Sequence, residues 1–516
     1  MNSPAKQQAE PLSQAAILTW IDELRASVRS APWAPLVDFD GVDALDVLLS
    51  PIYVALLNAI RSQMENRQAK AAGLLPRARN WAYHLKAALR DRAAARKSAQ
   101  PGHADVLMWS RDITHTVILD PVVRALGEQG QTARMLACQA SIFEQLAARD
   151  ANSVFTRAAW PRTLRRARRD GARRARELAR YGRWTVPRIA GDRDLEPVVR
   201  KKVIELLPLV SEAITNAHAA LDAFGARLLV VGNDLTIEGR AGCRVARLRG
   251  IPTTMFMHGS IAGDPLQAMH VADRILVYGN VHRDELAQRG FPLDHIVVCG
   301  APSLDNRPRQ TGRVNAQLKE RLGLQGGDPW VLVTTSGPGH RISMAHHRLV
   351  IENLARLSAA MPTTPVVVKL HRKDHSEYYQ QALRNPTDRK LMVVAENTPG
   401  YPRDIFEWLD GCPVVLTGAS AVAVEAMLMD VPVVTMDFHD EVHGVDFIDA
   451  GATTHVRTGE ALVEAVADIL ACHAPTADSQ SRVRAYLEES FCALDGRSAS
   501  RGAKSLVEQI RQGTPR

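Results

Sequence analysis

Apolar residues along this chain follow two rhythms that change near residue 100. Up to that point they recur at three-and-four spacing over residues 15–29, 42–65 and 78–97, with Pro32, Pro35 and Pro76 in the gaps. That spacing predicts three amphipathic helices. From Ala104 onward, short unbroken apolar runs take over, at residues 104–110, 132–138, 227–231, 253–257, 274–278 and 295–299. Helical spacing fills several of the intervals, including 122–128 and 199–224. Runs without polar alternation are buried on both faces, and their alternation with helices predicts a parallel sheet with right-handed crossovers.

A second such series begins after the polar stretch 306–313. Its predicted strands are 330–334, 365–370, 392–394, 414–416 and 433–436, and a helical tail covers 479–512. No repeat relates the two series in sequence. The expected organisation is α/β, with two doubly wound Rossmann-type domains facing across a cleft. The divisions are 1–100, helical; 101–312, a Rossmann-like domain with an arginine-rich insertion; 313–475, a second Rossmann-like domain; and 476–516, a C-terminal helix. Ligand is expected at the carboxyl ends of both sheets.

At 516 residues the chain is too long for one core, which agrees with two domains. The six cysteines are scattered without a paired spacing, so they read as reduced thiols in a cytoplasmic protein rather than as disulfides or a zinc site. No apolar run reaches the roughly 20 residues that would span a bilayer, and the first residues do not look like a signal peptide. The net charge of +8 gathers in residues 157–188, where arginines crowd a helical stretch with Trp160, Leu164, Leu178 and Trp184 among them. Such a helix suits an anionic membrane surface, with a solvated face as the plainer reading. No nucleic-acid motif stands beside it, so no nucleic-acid partner is expected. The expected location is the cytoplasm, including the inner face of the cell membrane.

Chemistry concentrates in residues 414–434. An apolar strand runs into Thr417-Gly418-Ala419-Ser420, then into a short helix carrying Glu425, and Pro432 opens the next strand. Small residues let phosphate oxygens approach backbone N–H groups, the Ser420 hydroxyl adds a donor, and Glu425 lies where a carboxylate can accept from both ribose hydroxyls. The plainer alternative is an ordinary turn with a serine N-cap. Residues Ser336-Gly337-Pro338-Gly339-His340-Arg341 follow another strand and would hold a leaving phosphate through backbone donors, or else form a simple turn. Lys369, His371, Arg372 and Lys373 end a third strand and would offset charge on a departing nucleotide. In the first domain His258-Gly259-Ser260 directly follows a strand. An imidazole suits general-base work at neutral pH, which makes His258 the leading candidate, with Asp234 and His115 as rivals at the same sheet edge. Asp264, Arg240 and the stretch 437–443 are further candidates for lining the cleft.

The order of these elements resembles GT-B-fold bacterial surface-polysaccharide transferases, of the capsule and glycerophosphotransferase kind, and the related UDP-N-acetylglucosamine 2-epimerases. His258-Gly259 resembles their acceptor-side His-Gly element, and Lys369-Leu370-His371 resembles a Lys-x-His-Pro element, with Arg372 in place of proline. The resemblance implies a C-terminal helix that returns to the first domain and a nucleotide-activated donor of CMP, CDP or UDP type. It also implies transfer of a sugar or polyol phosphate to a glycan or lipid-linked acceptor, with His258 taking the acceptor proton. No Asp-x-Asp element follows a strand, so no tightly bound cofactor and no required metal are expected. Two alternatives stay open. One is a 2-epimerase, whose His-x-Glu-Ala-Gly type element is replaced here by His258-Gly259-Ser260-Ile261-Ala262. The other is a non-catalytic nucleotide- or glycan-binding partner.

Overall fold

Runs of valine and leucine with no polar alternation have no face to offer to water, and each becomes a strand covered on both sides. The computed structural model describes residues 14–65 and 90–512, apart from 92, 99, 149–152, 183, 187–194, 260–264, 308–310, 312, 315, 325–328, 339–341, 373, 380–390, 397, 403, 443–444 and 473–475. The chain divides into one unit made of residues 1–258, 265–305 and 493–516, and another made of 259–264 and 306–492.

Among the described residues the main sheet of the first unit has seven strands: β1 Val106–Ser110, β2 Ala133–Ala137, β3 Val154–Phe155, β4 Leu228–Val231, β5 Thr253–Phe256, β6 Arg274–Val277 and β7 Ile296–Val298. All pair in parallel, in the order β3-β2-β1-β4-β5-β6-β7, with Met108 opposite both Met135 and Val230. Strand order reverses between β1 and β4. The two-residue β3 has no run long enough to register as a strand in sequence. Beneath the sheet, Val106, Met108, Phe143, Leu228 and Val230 form one apolar cluster with Leu506 and Val507 of the last helix.

The N-terminal region belongs to this unit. Helices Gln14–Arg29 and Ala44–Glu65 are separated by a small hairpin that turns at Asp40 and Gly41, both at positive φ. The helix expected over 42–65 therefore starts at Ala44, because Val42 and Asp43 complete the hairpin. Of the helix expected over 78–97, only residues 90–91 and 93–97 lie within the described residues, and they are helical. Asp46 is clamped by Arg25, Arg240 and Arg244. Arg240, a candidate for lining a cleft, is 1% exposed and also donates to the Met269 carbonyl. It is an anchor for the helical region.

The basic stretch forms helix Pro161–Leu178, which packs on the long helix Glu196–Phe224. Gly171 permits this approach, since a Cβ there would lie 2.8 Å from Pro208 Cα. Trp184 is buried in a stack with Trp33, ring centroids 4.4 Å apart.

The tail is two helices rather than one. Ala477–Ser490 lies in the second unit and Ser498–Gln512 in the first. The Asp305 carboxylate accepts from the Ser498 and Ala499 N–H groups at 2.9 and 2.7 Å, which caps the last helix. Thr254 Oγ1 donates to the Gln509 side chain at 2.5 Å, and Gly502 leaves room for the Phe256 ring.

The second unit holds β8 Val331–Thr334, β9 Val366–Lys369, β10 Leu391–Val394, β11 Val415–Thr417, β12 Val433–Met436 and β13 Thr454–Val456, all parallel, in the order β10-β9-β8-β11-β12-β13. Alternate side chains feed separate apolar clusters on the two faces. Leu332, Val367 and Val415 point one way, and Val331, Val333, Val366 and Leu416 the other. The short edge strand β13 was not legible beforehand. The architecture is thus α/β with two Rossmann-like parallel sheets and an N-terminal helical part. Among the described residues no helix is long and apolar enough to cross a membrane.

Candidate functional site

Strand order in the second sheet reverses between β8 and β11, so the loops that follow these two strands diverge and leave a crevice at their carboxyl ends. Thr417 ends β11, is fully buried, and takes a hydrogen bond from the Thr334 hydroxyl at 2.9 Å. It ties the ends of β8 and β11 together, so its side chain braces the sheet beneath the turn and is buried away from the open space above it. Gly418 comes next, and a Cβ there would meet nothing within 4 Å, so the space above the turn is open. Ser420 has extended backbone and caps helix Ala421–Met427, its Oγ accepting from Val422 N at 3.4 Å. That bond is long, and the helix has only seven residues, so backbone N–H groups and the hydroxyl matter more here than the helix dipole.

Glu425 sits half-buried in that helix. Burial pushes its carboxyl up to about 7, the Asp404 charge adds to this, and the Lys369 ammonium opposes it. Lys369, at the end of β9, is itself lowered by burial and held up by Glu396 and Glu425. The two residues thus form an electrostatic pair beside the turn.

A cavity of about 30 Å³, room for a water or two, opens at the same edge, lined by Thr334, Ser336, Gly337, His347, Tyr379 and Gly418, among others. Gly337 has φ 68°, which turns the chain sharply after β8. Ser336 and Gly337 thus reach the same cavity as Gly418. The structure adds residues that sequence reasoning passed over. Ser343 caps helix Met344–Ala360 by accepting from His346 N, which sets His346 and His347 in the first turn of that helix, both buried. His347 Nε2 lies 3.1 Å from Asp374 Oδ1, and the Tyr379 hydroxyl donates to Asp374 Oδ2 at 2.8 Å. Burial works to raise the Asp374 carboxyl, but hydrogen bonds from His347, Thr335 and Tyr379 outweigh it and leave it below the usual range. The Nδ1 atoms of His346 and His347 are buried without a hydrogen-bond partner among the described residues. The available signal was Ser343 three residues before His346, a helix-start pattern that would have placed the adjacent histidines at a sheet edge.

The remaining second-unit candidates divide. His371 is half-buried and donates its backbone N–H to Thr335 Oγ1 at 3.1 Å, while Arg372 is exposed. Gly339, His340, Arg341 and Lys373 lie outside the described residues, as does His443. Asp437 is 1% exposed and accepts from Glu441 N and Val442 N at 2.9 and 3.2 Å. It braces its own loop and lies 3.6 Å from Nδ1 of His346, behind the cavity.

In the first unit, β4 and β5 deliver Asn233 and His258. Asn233 Oδ1 accepts from Leu235 N at 2.8 Å, which fixes the amide so that its nitrogen faces His258 Nε2 at 3.2 Å. An amide nitrogen only donates, so Nε2 carries the lone pair. The His115 ring meets His258 edge-on, with centroids 5.0 Å apart, and its Nδ1 accepts from Arg111 N at 3.4 Å. Gly232 makes room for His115, since a Cβ there would lie 2.4 Å from its Cγ. His258 and His115 thus come together, whereas Asp234 does not join them. It is fully buried, accepts from Val271 N and Ala272 N at 2.6 and 2.8 Å, and pairs with His270 at 2.5 Å. Burial would raise its carboxyl, but the His270 pair and these bonds hold it down at about 2. A carboxylate so committed is a structural bracket, which removes it as a rival base. Glu238 is likewise paired, with Arg111 at 2.9 Å. Asp264 and Ser260 lie outside the described residues. Among the described residues no three His, Cys, Asp or Glu side chains converge as metal ligands.

Two parallel Rossmann-like sheets, each with candidate groups at its carboxyl edge, define the GT-B-like class of α/β protein. Residues 266–493 match the family model of UDP-N-acetylglucosamine 2-epimerases. Among solved structures, the MnaA–UDP co-structure from S. aureus is similar with a TM-score of 0.54 at 12% identity, covering 80% of this chain and 98% of that one. The UDP-GlcNAc 2-epimerase of Methanocaldococcus jannaschii, solved with UDP-GlcNAc and UDP, gives a TM-score of 0.52 at 14% identity over 78% of this chain and 99% of that one. At such identities the likeness is one of fold. No curated protein sequence matches the chain. These comparisons favour the 2-epimerase alternative over the transferase resemblance.

Proposed function

We propose that this chain is a nucleotide-sugar enzyme of the 2-epimerase kind, which holds the UDP moiety of a UDP-N-acetylhexosamine in its second unit and acts on the attached sugar. The observation that carries this reading is the strand-turn-helix of residues 417–425. Gly418 leaves open space for phosphate, Ser420 supplies a hydroxyl, and Glu425 supplies a carboxylate for the ribose hydroxyls, all inside the stretch that matches the epimerase family model. The Ser336–Gly337 turn and Lys369 sit at the same edge and would meet the diphosphate. Inverting C2 requires removing a proton from carbon and returning one to the other face, so the enzyme needs groups that change protonation at neutral pH. The imidazoles of His258 and His115 are the candidates.

A second reading is transfer of the sugar to a hydroxyl acceptor, with His258 as base. It is favoured by one feature: Asp112, Asp234 and Glu238, the carboxylates near the imidazole pair in sequence or structure, are each engaged as a helix cap, a bracket and an ion pair.

Incubation with UDP-GlcNAc in deuterated water, followed by proton NMR, separates the two. The epimerase reading expects the C2 epimer with deuterium at C2, lost in His258→Ala while UDP binding is retained. UDP release that depends on an added acceptor, with no exchange at C2, would replace it with transfer. No UDP binding by titration calorimetry, in wild-type protein shown to be folded, would sink both.

A further inference from the structure

The arginines of helix Pro161–Leu178 are arranged rather than scattered. At about 100° per residue, Arg162, Arg165, Arg166, Arg169, Arg173 and Arg176 fall in one stripe, continued by Arg180 beyond the helix end. Leu164, Ala167, Gly171, Ala175 and Leu178 fall on the opposite side and are buried. That apolar side is fully occupied by helix Glu196–Phe224, whose Ser211 hydroxyl also donates to the Ala167 carbonyl at 2.8 Å.

The stripe is exposed and under-neutralised. Asp170 at its margin pairs with Arg173 and Arg174, and Glu212 with Arg157 and Arg168. Arg162, Arg166, Arg169 and Arg180 meet no carboxylate among the described residues. Eighteen helical residues extend about 27 Å, so the unit carries a straight ridge of guanidinium groups of that length. Like charges at one-turn spacing repel, and a ridge that keeps them needs an anionic counterpart to offset the repulsion.

We infer that this ridge docks the protein on an anionic phospholipid surface through phosphate contacts and without inserting into the bilayer. The sequence alone suggested an amphipathic helix with tryptophan anchors, and the structure removes that mode: the apolar side is packed and Trp184 is stacked on Trp33. What remains is charge. A plane of headgroups meets a straight ridge along its full length, backed by a 29-residue helix, and guanidinium forks pair with lipid phosphates in two-point contacts. Single-stranded nucleic acid offers phosphates too, but the stripe has no aromatic residue to stack on its bases, and duplex DNA is the competitor included in the test.

Vesicle sedimentation tests this with the full chain. Wild type is expected to pellet with phosphatidylglycerol-containing vesicles at 0.1 M salt, to remain in solution with phosphatidylcholine alone, and to be released by 0.5 M salt. Exchanging Arg162, Arg166, Arg169 and Arg176 for Gln should lower partitioning roughly a thousandfold. The same positions changed to Lys should retain most of it, and all three proteins should melt alike. Equal binding to neutral vesicles, no binding to anionic ones, or full binding by a folded glutamine variant would overturn the proposal. So would preferential binding of duplex DNA at matched salt. If the glutamine variant does not fold, the lipid and salt comparison on wild type decides alone. The outcome is independent of whether the second unit binds UDP.

Discussion

Replacing Glu425 with Gln should stabilise the protein in a pH-dependent way. In the folded chain the carboxyl is pushed from 4.5 up to about 7, chiefly by burial and further by Asp404, against the pull of Lys369. A raised carboxyl means that the fold prefers the protonated form. Below pH 4.5 the group is protonated in both states and costs nothing; as pH rises through the window from 4.5 to 7, the unfolded chain ionises first and stability is lost. The full displacement corresponds to about 3 kcal/mol, and the solvent contact of a half-buried side chain reduces this to about 2 kcal/mol above pH 7. Glutamine keeps the shape and cannot ionise, so Glu425→Gln should match wild type at pH 4.5 and exceed it at pH 8. For a domain of this size that is roughly 5 °C in Tm, measurable by differential scanning fluorimetry across the pH range. In the same protein UDP should bind more weakly, because an amide accepts from two ribose hydroxyls less well than a carboxylate does. A Tm difference that is the same at pH 4.5 and pH 8 would refute the reasoning.

Three further outcomes follow from the first unit. Asp234→Ala leaves the N–H groups of Val271 and Ala272 and the His270 ring without their acceptor, and should cost about 3–5 kcal/mol in urea unfolding. The wild-type carboxylate, held down at about 2, contributes stability above pH 3.8 that fades as pH falls toward 2, and the variant should lack that acid limb. Gly232→Ala should displace His115, reducing turnover more than UDP affinity, because its Cβ overlaps the imidazole and leaves the second unit untouched. Asp46→Ala strands Arg25, Arg240 and Arg244 around a missing charge; a loss of about 3 kcal/mol or more, with the N-terminal helices becoming sensitive to limited proteolysis, is expected.

The sheets were readable because their strands are central and parallel, and valine runs such as Val366–Lys369 leave little else for the chain to do. The strands that escaped, Val154–Phe155 and Thr454–Val456, lie at sheet edges, where two or three residues suffice and no run is needed. Glycine turns and single residues after strands were equally legible, which is why Gly418, Ser420 and His258 stand at carboxyl edges. The direction in which a polar side chain turns was not. Asp234, Thr417 and Asp437 occupy the same kind of position as His258, yet each is drawn inward by neighbouring donors: the backbone at Val271, the Thr334 hydroxyl, the backbone at Glu441. Those donors come from segments distant in sequence or from loop geometry, and local spacing carries no trace of them. The His347–Asp374–Tyr379 cluster was hidden for the same reason, since it joins a helix start to a loop after β9.

The first unit closes only with helix Ser498–Gln512. Thr254 and Gln509 bond across a separation of 255 residues, and the whole second unit is threaded between them. On the ribosome, the sheet face at β5 therefore emerges long before the helix that covers it, and the second unit completes its own sheet while the first still exposes apolar strand surface around Phe256 and Leu276. A stop codon that removes Ser498–Gln512 would consequently spare every residue of the nucleotide turn and yet leave the half of the molecule synthesised first unable to mature.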